Sequence, residues 1–515
     1  MKYLSILTLA PLVGALAVAF VPRSKPELAK RLALIVSLVV LGVTVAAWFA
    51  FKAGDTTQRL QLQESYTWIP AWGAKFAFGI DGIALVMLAL TALLTPLVIL
   101  ASWHDAERSK RSVPAYFALL LALQGTMIGT FTSADVLLFY LFFEVMLVPM
   151  YFIIGSFGSD VPAKQRQYAA VKFFLYSLVG GLFMLAAVIG MWVLGGHTFG
   201  WQTLTNADFT STAQRWLFLG FFIAFAIKAP FFPFHTWLPD AGGAAPAGAA
   251  ALLVGVMDKI GTFGILRYCL PLFPEASRWF APWAIALSLV GIIYAALLAV
   301  GQNDLKRLVS YTSIAHFGFI GIGIFAFTYQ AGSGAVLYML NHGLATGLLF
   351  LVVGMFVARR GSTLVTDFGG AGKLMPLLAG IFFIAGMASL ALPGLAPFVS
   401  EFLVLLGVFT VNKTVAVIAT VGIILAAAYV LWMIQRTTQG NLNPALQDVA
   451  PMKRDLNLRE GIVVAPLIVL LIVLGFYPKP VLDVINPAVQ ATLSDVVTPE
   501  RADPAPATST VEAGN

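Results

Sequence analysis

The sequence predicts an all-α polytopic membrane protein with about fourteen transmembrane helices, two inverted five-helix repeats and broken helices 7 and 12. The first observation behind this prediction is composition: 59% of the 515 residues are hydrophobic and only 11% are charged. A water-soluble domain carries about 25% charged residues, so this chain could not cover a surface in water. The second observation is that apolar runs of membrane-spanning length recur along the chain. Together they exclude a cytosolic enzyme, a nucleic-acid-binding protein and a secreted disulfide-linked scaffold.

Each apolar run is bounded by polar or Pro- and Gly-rich joints. The predicted helices cover residues 3–22, 32–51, 80–102, 114–132, 135–155, 167–194, 213–232, 246–271, 280–300, 307–328, 333–357, 376–410, 415–435 and 460–477. The predicted units are 1–112 (helices 1–3), 113–272 (first repeat), 279–436 (second repeat), 437–480 (loop and helix 14) and 481–515 (polar tail). The first segment resembles a signal peptide, but it is long enough to span a bilayer and is interpreted as an uncleaved helix.

A weak internal repeat supports the two central units. Ala170-Val171 recurs 165 residues later as Ala335-Val336, and Pro233-Phe234 recurs 164 residues later as Pro397-Phe398. Each unit holds five helices, and five is an odd number, so the second unit is expected to lie upside down relative to the first. This arrangement is typical of inverted-repeat transporters.

The basic residues predict the orientation. Most of the 31 Lys and Arg residues lie in alternate loops or near helix ends, Lys30, Arg267 and Lys306 among them. Loops on the cytoplasmic side (or the mitochondrial matrix side) carry the excess of Lys and Arg, so both termini are expected on the outer side, which in a bacterium is the periplasmic side of the inner membrane. Three lysines fall inside predicted helices instead, and these are Lys172, Lys228 and Lys259.

Ionisable side chains at membrane depth are the main functional candidates. Such a group costs about 3 kcal/mol on insertion scales, so its default interpretation is functional. Glu144, Lys228, Lys259 and Glu401 all lie within predicted helices. The alternative is an inert Glu144–Lys228 pair that only holds two helices together, but such a pair does not explain four separate sites.

Two of these residues lie beside proline breaks. Lys228 precedes Pro230 and Pro233, and Glu401 follows Pro393 and Pro397. Prolines free backbone carbonyl groups, which at membrane depth need water or polar partners. The pattern predicts an ion path through the middle of the bilayer. A sodium site would need a cluster of oxygen ligands, whereas lysines repel cations but exchange protons, so the predicted ion is the proton.

Histidines supply further candidates. His316 and His342 lie in predicted helices 10 and 11 and could relay protons between Lys259 and Glu401, because imidazole titrates near neutral pH. A lone helical histidine is otherwise more often structural. His235 follows the break in helix 7, where it either relays protons or caps or packs against the break.

The remaining polar residues of the helices have less specific interpretations. Lys172 is either a relay group or a contact to a neighbouring chain, and Asp81 and Asp135 begin helices 3 and 5, where a structural role at the helix N-terminus is expected. Cys269 is the only cysteine, the five histidines lack metal-site spacing, and there is no phosphate-binding glycine loop. No metal or cofactor is therefore expected in this chain.

Five sequence blocks carry a family resemblance: DVLLFYLFFEVMLVPMYFIIG (135–155), AIKAPFFPFHTWLPD (226–240), GVMDKIGTFG (255–264), NDLKRLVSYTSIAHFG (303–318) and SLALPGLAPFVSEFLVLLG (389–407). They resemble the antiporter-like subunits of respiratory complex I, and the helix count resembles the branch of subunit M and mitochondrial chain 4. The resemblance implies that Glu144 pairs with Lys228 and that Lys259 passes protons toward Glu401. It also implies partners: neighbouring antiporter-like membrane subunits, lipids, and a peripheral NADH-oxidising arm, with FMN, iron–sulfur clusters and quinone held in partner subunits.

The chain departs from the family pattern at three positions. Gly242 and Ala244 stand where the family usually has a histidine and a glutamate, and Asp258 precedes Lys259 where an apolar residue is usual. Neighbours on a helix point about 100° apart, so Asp258 either faces a different partner or tunes Lys259 directly. The alternatives to a complex I subunit are an Mrp-type cation/proton antiporter subunit, a membrane-bound hydrogenase subunit and an inert scaffold. The chains that co-purify with this one distinguish them.

Overall fold

The computed structural model describes residues 2–497 except residues 56, 159 and 448. In this part of the chain, eleven helices are long and apolar enough to cross a membrane, and three shorter apolar helices accompany them. The prediction of a multi-pass helical membrane protein is therefore confirmed.

The helices for the most part keep the predicted positions. They are α1 Tyr3–Ala19, α2 Pro26–Ala50, α3 Gly82–Ala101, α4 Val113–Thr132, α5 Val136–Phe157, α6 Ala163–Leu194, α7 Ser211–Lys228, α8 Trp237–Ala244, α9 Ala247–Leu272, α10 Pro274–Val300, α11 Leu305–Phe325, α12 Tyr329–Arg360, α13 Pro376–Ser389, α14 Ala396–Val411, α15 Lys413–Thr438, α16 Leu458–Phe476 and α17 Lys479–Ser494. Short helical turns at Asp105–Arg108, Trp201–Leu204, Pro70–Trp72, Val365–Asp367, Ala371–Lys373, Pro444–Leu446 and Ala450–Lys453 lie in the connections.

A β-hairpin between α2 and α3 corrects the all-α prediction. Strands β1 (Gln61–Ile69) and β2 (Ala74–Ile80) pair antiparallel, with Tyr66 opposite Phe76. Neither strand is long enough to register as a membrane span, which is why the sequence prediction treated the segment as a loop. Its aromatic residues at alternate positions are typical of a half-buried strand.

The predicted breaks in helices 7 and 12 are present. Predicted helix 7 ends at Lys228 and resumes as α8 at Trp237, and the predicted span 376–410 is two helices, α13 and α14. At the first break the indole of Trp237 donates to the carbonyl of Ile227 at 2.9 Å. The carbonyl of Ala226, four residues before Pro230, finds a polar partner within the chain, since it accepts from the amide of Phe231 at 2.9 Å. The backbone of this break is thus largely satisfied within the chain.

Helices α9 and α12 form the centre of the bundle, because every residue in their most apolar stretches is buried. In α9, π-helical turns at Leu253–Met257 and Ile265–Cys269 interrupt the α-helix. Such turns leave carbonyl groups in unusual positions and are frequent at functional sites. Lys259 lies between the two π-helical turns.

The C-terminal segment is a second correction. Residues 481–494, predicted as part of a polar tail, belong to α17, whereas residues 498–515 of that tail lie outside the described residues. Val481, Ile485 and Val489 are buried, at spacings that place them on one face of a helix. The carbonyl of Val484 lies so close to Gly82 that a Cβ there would overlap it. The segment is too polar to span a membrane but amphipathic enough to pack on α3.

A charge placed on the buried face of α17 should destabilise the fold. Val489 is 1% exposed, and its side chain packs against Gly332 on α12. The neighbouring Gln490 is exposed. Because Val489→Asp buries an unpaired carboxylate, we expect a loss of about 3 kcal/mol and a clearly lower melting temperature in detergent. Gln490→Asp is the matched control and should melt like the wild type. Equal melting of both variants would contradict this packing of α17.

Candidate functional site

Two groups of ionisable side chains lie in the interior of the bundle, and all the members named below are buried except Glu144, which is half-buried. The first group lies where α5, α6, α7 and α9 meet, and it contains Glu144 and Lys228. The second lies where α9, α11, α12 and α14 meet, and it contains Lys259 and Glu401. Helix α9 takes part in both groups.

Glu144 lies beside an interruption of α5, since the first helical segment of α5 ends at Val145 and the second begins at Leu147. Its carboxylate faces Gly181 of α6 so closely that a Cβ at that glycine would overlap Oε1. Within the described residues, Oε1 has no hydrogen-bond partner. The missing side chain at Gly181 therefore creates the space that the carboxylate occupies.

Lys228 is the last residue of α7 and is 1% exposed. Its Nζ lies 4.8 Å from the ring centroid of Phe143 and 5.8 Å from that of Phe173, and a ring face attracts a cation. No hydrogen-bond acceptor for Nζ is found among residues 2–497 as described. Lys228 and Glu144 attract each other electrostatically but make no ion-pair contact, so the ammonium is held without being locked to the carboxylate.

Lys259 is fully buried and has two hydrogen-bond partners. Its Nζ donates to the carbonyl of Val254, in the preceding π-helical turn, and to Nδ1 of His342 at 2.7 Å. Because an ammonium group only donates, Nδ1 of His342 accepts, and the proton of the neutral ring lies on Nε2. The contact fixes the tautomer of this histidine.

A second hydrogen-bonded segment continues from His316 to Glu401. The hydroxyl of Tyr338 donates to Oε2 of Glu401 at 2.7 Å, and Nδ1 of His316 lies 2.7 Å from the same hydroxyl. Since the hydroxyl proton is used on the carboxylate, Nδ1 of His316 is the donor and its Nε2 is free to accept. The rings of His316 and His342 lie 5.2 Å apart, centroid to centroid. All of these side chains are buried.

The structure therefore brings together two hydrogen-bonded segments, which meet at the rings of His316 and His342 and which we together call the central chain. Its members, in order, are Lys259, His342, His316, Tyr338 and Glu401. The prediction placed four of these five residues in one relay but missed Tyr338. The signal in the sequence was its spacing, since Tyr338 and His342 are four residues apart on α12 and share one face.

Asn341 and Ser400 hold the two helices that carry Tyr338 and Glu401. The side-chain amide of Asn341 donates to the carbonyl of Ala396 at 2.7 Å and to Oγ of Ser400 at 3.2 Å. Ala396 is the first residue of α14. These bonds fix the start of α14 against α12 and thereby set the distance between the phenol and the carboxylate.

Lys172 and His235 lie outside the central chain. Lys172 donates to Oδ2 of Asp240 at 2.7 Å, and Arg307 donates to Oδ1 of the same carboxylate. His235 is 3% exposed and packs against the rings of Phe232 and Tyr294, with centroid distances of 5.7 and 5.4 Å. Lys172 thus ties α6 to α8, and His235 packs beside the break that follows α7.

Gly242 and Ala244, which depart from the family pattern after the break that follows α7, are both packed closely against neighbouring helices. A Cβ on Gly242 would overlap Oγ of Ser310, and the carbonyl of Ala244 lies against Gly158, where a Cβ would overlap it. Longer side chains at 242 would therefore require α8 to move away from α11. Asp258, the third departure, is fully buried, and neither of its carboxylate oxygens has a hydrogen-bond partner within the described part of the chain.

The N-terminal roles predicted for two aspartates are confirmed. Asp81 accepts from the amide of Ala84 at 2.8 Å, and Asp135 accepts from the amides of Leu137 and Leu138 at 3.0 and 3.1 Å. Asp81 also pairs with Arg267 at 2.8 Å.

The orientation prediction counts Arg267, Lys30 and Lys306 among the loop and helix-end charges, but all three side chains are buried. Lys30 pairs with Glu27 and Glu107 at 2.7 and 2.6 Å, and Lys306 pairs with Asp160 at 3.1 Å. These three buried basic side chains therefore each have a carboxylate partner. The buried basic residues near helix ends are neutralised locally, which sets Lys228 and Lys259 apart.

The buried charges on broken central helices define a membrane protein of the antiporter-like class, and comparison with known proteins agrees. Residues 133–426 match the family model described as "NADH:quinone oxidoreductase/Mrp antiporter, TM", and residues 29–130 match "NADH-ubiquinone oxidoreductase chain 4, amino terminus". The chain belongs to this family of NADH:quinone oxidoreductase and Mrp antiporter transmembrane subunits.

Individual relatives point to one branch of the family. The chain is similar to NADH-quinone oxidoreductase subunit M of Mycobacterium tuberculosis, at 46% identity over 98% of this chain and 96% of the relative. Its structure is similar to a chain of respiratory complex I from Thermus thermophilus with bound NADH, with a TM-score of 0.86, 28% identity, and coverage of 96% of this chain and 100% of that one. A chain of the Mrp complex from Dietzia sp. has the same fold, with a TM-score of 0.83 at 22% identity over 97% of this chain and 100% of that one.

Filling the space at Gly181 should displace Glu144 and destabilise the protein. A methyl group there overlaps the carboxylate, so we expect Gly181→Ala to cost about 1–3 kcal/mol, as overpacking does. At Gly380 in α13, no atom lies within 4 Å of the position that a methyl group would take, so Gly380→Ala is the matched control. Thermal unfolding in detergent should therefore separate the two variants. Identical melting temperatures would show that Glu144 does not occupy this space.

Proposed function

We propose that this chain is the subunit M of a bacterial NADH:quinone oxidoreductase (complex I) and moves protons across the membrane through its buried Glu, Lys and His residues. Electron transfer from NADH to quinone in partner subunits would drive the movement. The observation that carries the proposal is the central chain, two hydrogen-bonded segments of titratable groups that meet at neighbouring histidine rings. It lies in the interior of a protein 46% identical to a named subunit M.

The first part of the proposed path consists of Glu144 and Lys228. A nearby carboxylate stabilises an ammonium group, and moving the carboxylate away favours loss of its proton. Because Lys228 is held by ring faces rather than by a hydrogen bond, its long side chain can approach or leave Glu144 without breaking a strong contact. The position of Glu144 at an interruption of α5 supplies a hinge for that movement.

The second part is the central chain, and its tautomers define a direction. A proton passed from Lys259 to Nδ1 of His342 allows the Nε2 proton of that ring to leave. Nε2 of His316 can accept it, after which Nδ1 of His316 releases a proton to the hydroxyl of Tyr338. The hydroxyl proton moves to Glu401. Each step forms one N–H or O–H bond as another breaks, and the net result is one proton moved from Lys259 to Glu401.

The gap between the two histidines is the proposed point of control. Nε2 of His316 and Nε2 of His342 each lack a hydrogen-bond partner in the described residues, whereas both Nδ1 atoms are bonded. The chain therefore conducts only when one ring rotates or a water molecule bridges the two nitrogens. Such a break prevents protons from leaking back when the complex is not turning over.

The redox chemistry is assigned to partner subunits. The only cysteine, Cys269, is buried, and no group of three or more His, Cys, Asp or Glu residues in the described chain could hold a metal ion. FMN, iron–sulfur clusters and quinone are proposed to lie in those subunits. Neighbouring antiporter-like subunits, lipids and the peripheral NADH-oxidising arm are the proposed partners.

Helix lengths support the proposed fourteen crossings and the inverted repeats. Helices α6 and α12 have 32 residues each, and α9 and α15 have 26 residues each. In both pairs the second helix begins 166 residues after the first. The first pair begins at residues 163 and 329, and the second pair begins at residues 247 and 413. The pairs α7–α8 and α13–α14 would be equivalent broken crossings. We retain the units 1–112, 113–272, 279–436 and 437–480, with both termini outside a bacterial plasma membrane, and extend the last unit to include α17.

An Mrp-type antiporter subunit is the alternative, favoured by the shared fold with the Mrp chain. The higher identity to subunit M argues against it. Purification in mild detergent distinguishes the two: flavin- and iron–sulfur-containing chains should accompany this chain in a complex I, and only small membrane subunits in an Mrp complex. The same result separates a membrane-bound hydrogenase, whose peripheral subunits would lack NADH oxidation.

Neutralising the first part of the path should reduce proton pumping. In the assembled complex, Glu144→Gln and Lys228→Ala are each expected to lower NADH-driven proton uptake into inside-out vesicles at least about tenfold, because the loading site is lost. Lys413→Ala is the control, since Lys413 is an exposed lysine at the start of α15. An unchanged proton-to-electron ratio and turnover in both path variants would refute the proposed function.

Removing the phenolic hydroxyl should interrupt the second part. Tyr338→Phe preserves the ring but removes the bond to Glu401, so we expect proton uptake to fall about tenfold while the complex still assembles. Tyr329→Phe, at the start of the same helix and outside the central chain, should pump normally. Normal pumping by Tyr338→Phe would mean that protons reach Glu401 by another route.

A further inference from the structure

Asp258 is a buried carboxylate that neither part of the proposed path uses. It is 0% exposed, and both of its oxygens lack hydrogen-bond partners among the described residues. Burial of a polar group without a partner costs several kcal/mol, and an ionised carboxylate costs more. A group kept under such conditions needs an explanation, and its neighbours supply one.

The side of α9 that carries Asp258 packs against the end of α7. Gly261 is three residues beyond Asp258 and therefore lies on the same face. A Cβ on Gly261 would lie 2.5 Å from the carbonyl oxygen of Phe225 and 2.6 Å from the amide nitrogen of Ala229. The two backbones touch at this point, and Lys228 lies between Phe225 and Ala229 in the sequence. Asp258 thus faces the part of α7 that presents Lys228.

The neighbouring residue, Lys259, faces a different helix. Gly255, one turn before it, packs on the backbone of α12, with the carbonyl of Gly343 3.3 Å from the position of a Cβ. Lys259 itself reaches His342 on that helix. Helix α9 therefore presents a carboxylate to α7 and an ammonium to α12. The Asp258 carboxylate attracts both Lys228 and Lys259.

We propose that Asp258 is a proton carrier that connects the Glu144–Lys228 pair to the central chain. In the first step an N–H bond of the Lys228 ammonium breaks and an O–H bond forms on Asp258, which leaves a neutral amine and a neutral carboxyl group. In the second step that O–H bond breaks and an N–H bond forms on Lys259, whose previous proton has passed to His342. The carboxylate is restored, and one proton has crossed from the first group of residues to the second.

The lysines supply the movement that these transfers need. Proton transfer requires a hydrogen bond or one intervening water molecule, and a lysine side chain is long and flexible enough to form either. Lys228 has no hydrogen bond, within the described residues, to break before it turns toward Asp258. The inference rests on the proposed function, because a proton carrier has no role in a chain that moves no protons.

A purely electrostatic role for Asp258 predicts a different protonation state of its carboxylate during turnover. If the carboxylate only balances the two lysines, an ionisable side chain at position 258 never gains a proton. If it carries protons, Asp258→Asn removes the carrier while keeping the size, and Asp258→Glu restores it. We therefore compare Asn and Glu variants in the assembled complex, with co-purification of the partner subunits as the measure of assembly.

The expected result is a loss of NADH-driven proton uptake of at least about fivefold in Asp258→Asn and near-normal uptake in Asp258→Glu. Wild-type uptake in Asp258→Asn overturns the inference. Lys228→Ala serves as the reference: if that variant is inactive while Asp258→Asn is normal, the proposed function stands and only this inference fails. If both variants are normal, the proposed function fails.

Infrared difference spectroscopy of the working complex gives a readout that a structural role would not produce. Turnover should generate the carbonyl stretch of a protonated carboxylic acid that is lost in Asp258→Asn and shifted in Asp258→Glu. A spectrum that is the same in wild type and in the Glu variant overturns the proposal. Should Asp258→Asn fail to assemble, the shift in the Glu variant decides alone.

Discussion

The hydrogen bond between Nζ of Lys259 and Nδ1 of His342 is the contact on which the interior of this protein depends. A lysine in the middle of a bilayer needs partners, because lipid supplies none. The π-helical turn of α9 supplies the carbonyl of Val254, and α12 supplies the histidine. The acceptor role of His342 then fixes its tautomer, and the carboxylate of Glu401 fixes that of His316 through Tyr338. The Lys259 ammonium at one end and the Glu401 carboxylate at the other thus determine which atom carries each proton between them.

Close backbone packing makes these contacts possible. Membrane helices associate through small residues that allow their backbones to approach, and glycines lie at the decisive places here. Gly255 and Gly343 bring α9 against α12, Gly261 brings it against α7, and Gly181 leaves room for the Glu144 carboxylate. The same principle explains why the position of Gly242 cannot hold a large side chain in this packing. The loop departures from the family pattern are thus accommodated by the neighbouring helices.

The sequence predicts the membrane class and the buried charges because both depend on local composition. A charged residue inside an apolar run is conspicuous without any knowledge of the fold. Tyr338 was missed for the opposite reason: a tyrosine in an apolar helix is ordinary, and its role appears only when α11 and α14 bring His316 and Glu401 to it. The partner of Lys172 depends in the same way on the packing of α6 against α8. The hairpin and α17 were missed because a search for spans overlooks short or amphipathic elements.

The direction of the central chain is the claim that a single measurement can test. Solid-state nitrogen NMR of the complex, with the histidines of this chain labelled, reports which ring nitrogen of His342 and of His316 carries the proton; single-histidine replacements assign the signals. We expect a proton on Nε2 of His342 and on Nδ1 of His316 in the resting protein. The reverse tautomer at either ring would contradict the proposed direction, since that ring could no longer accept from Lys259 or donate to Tyr338.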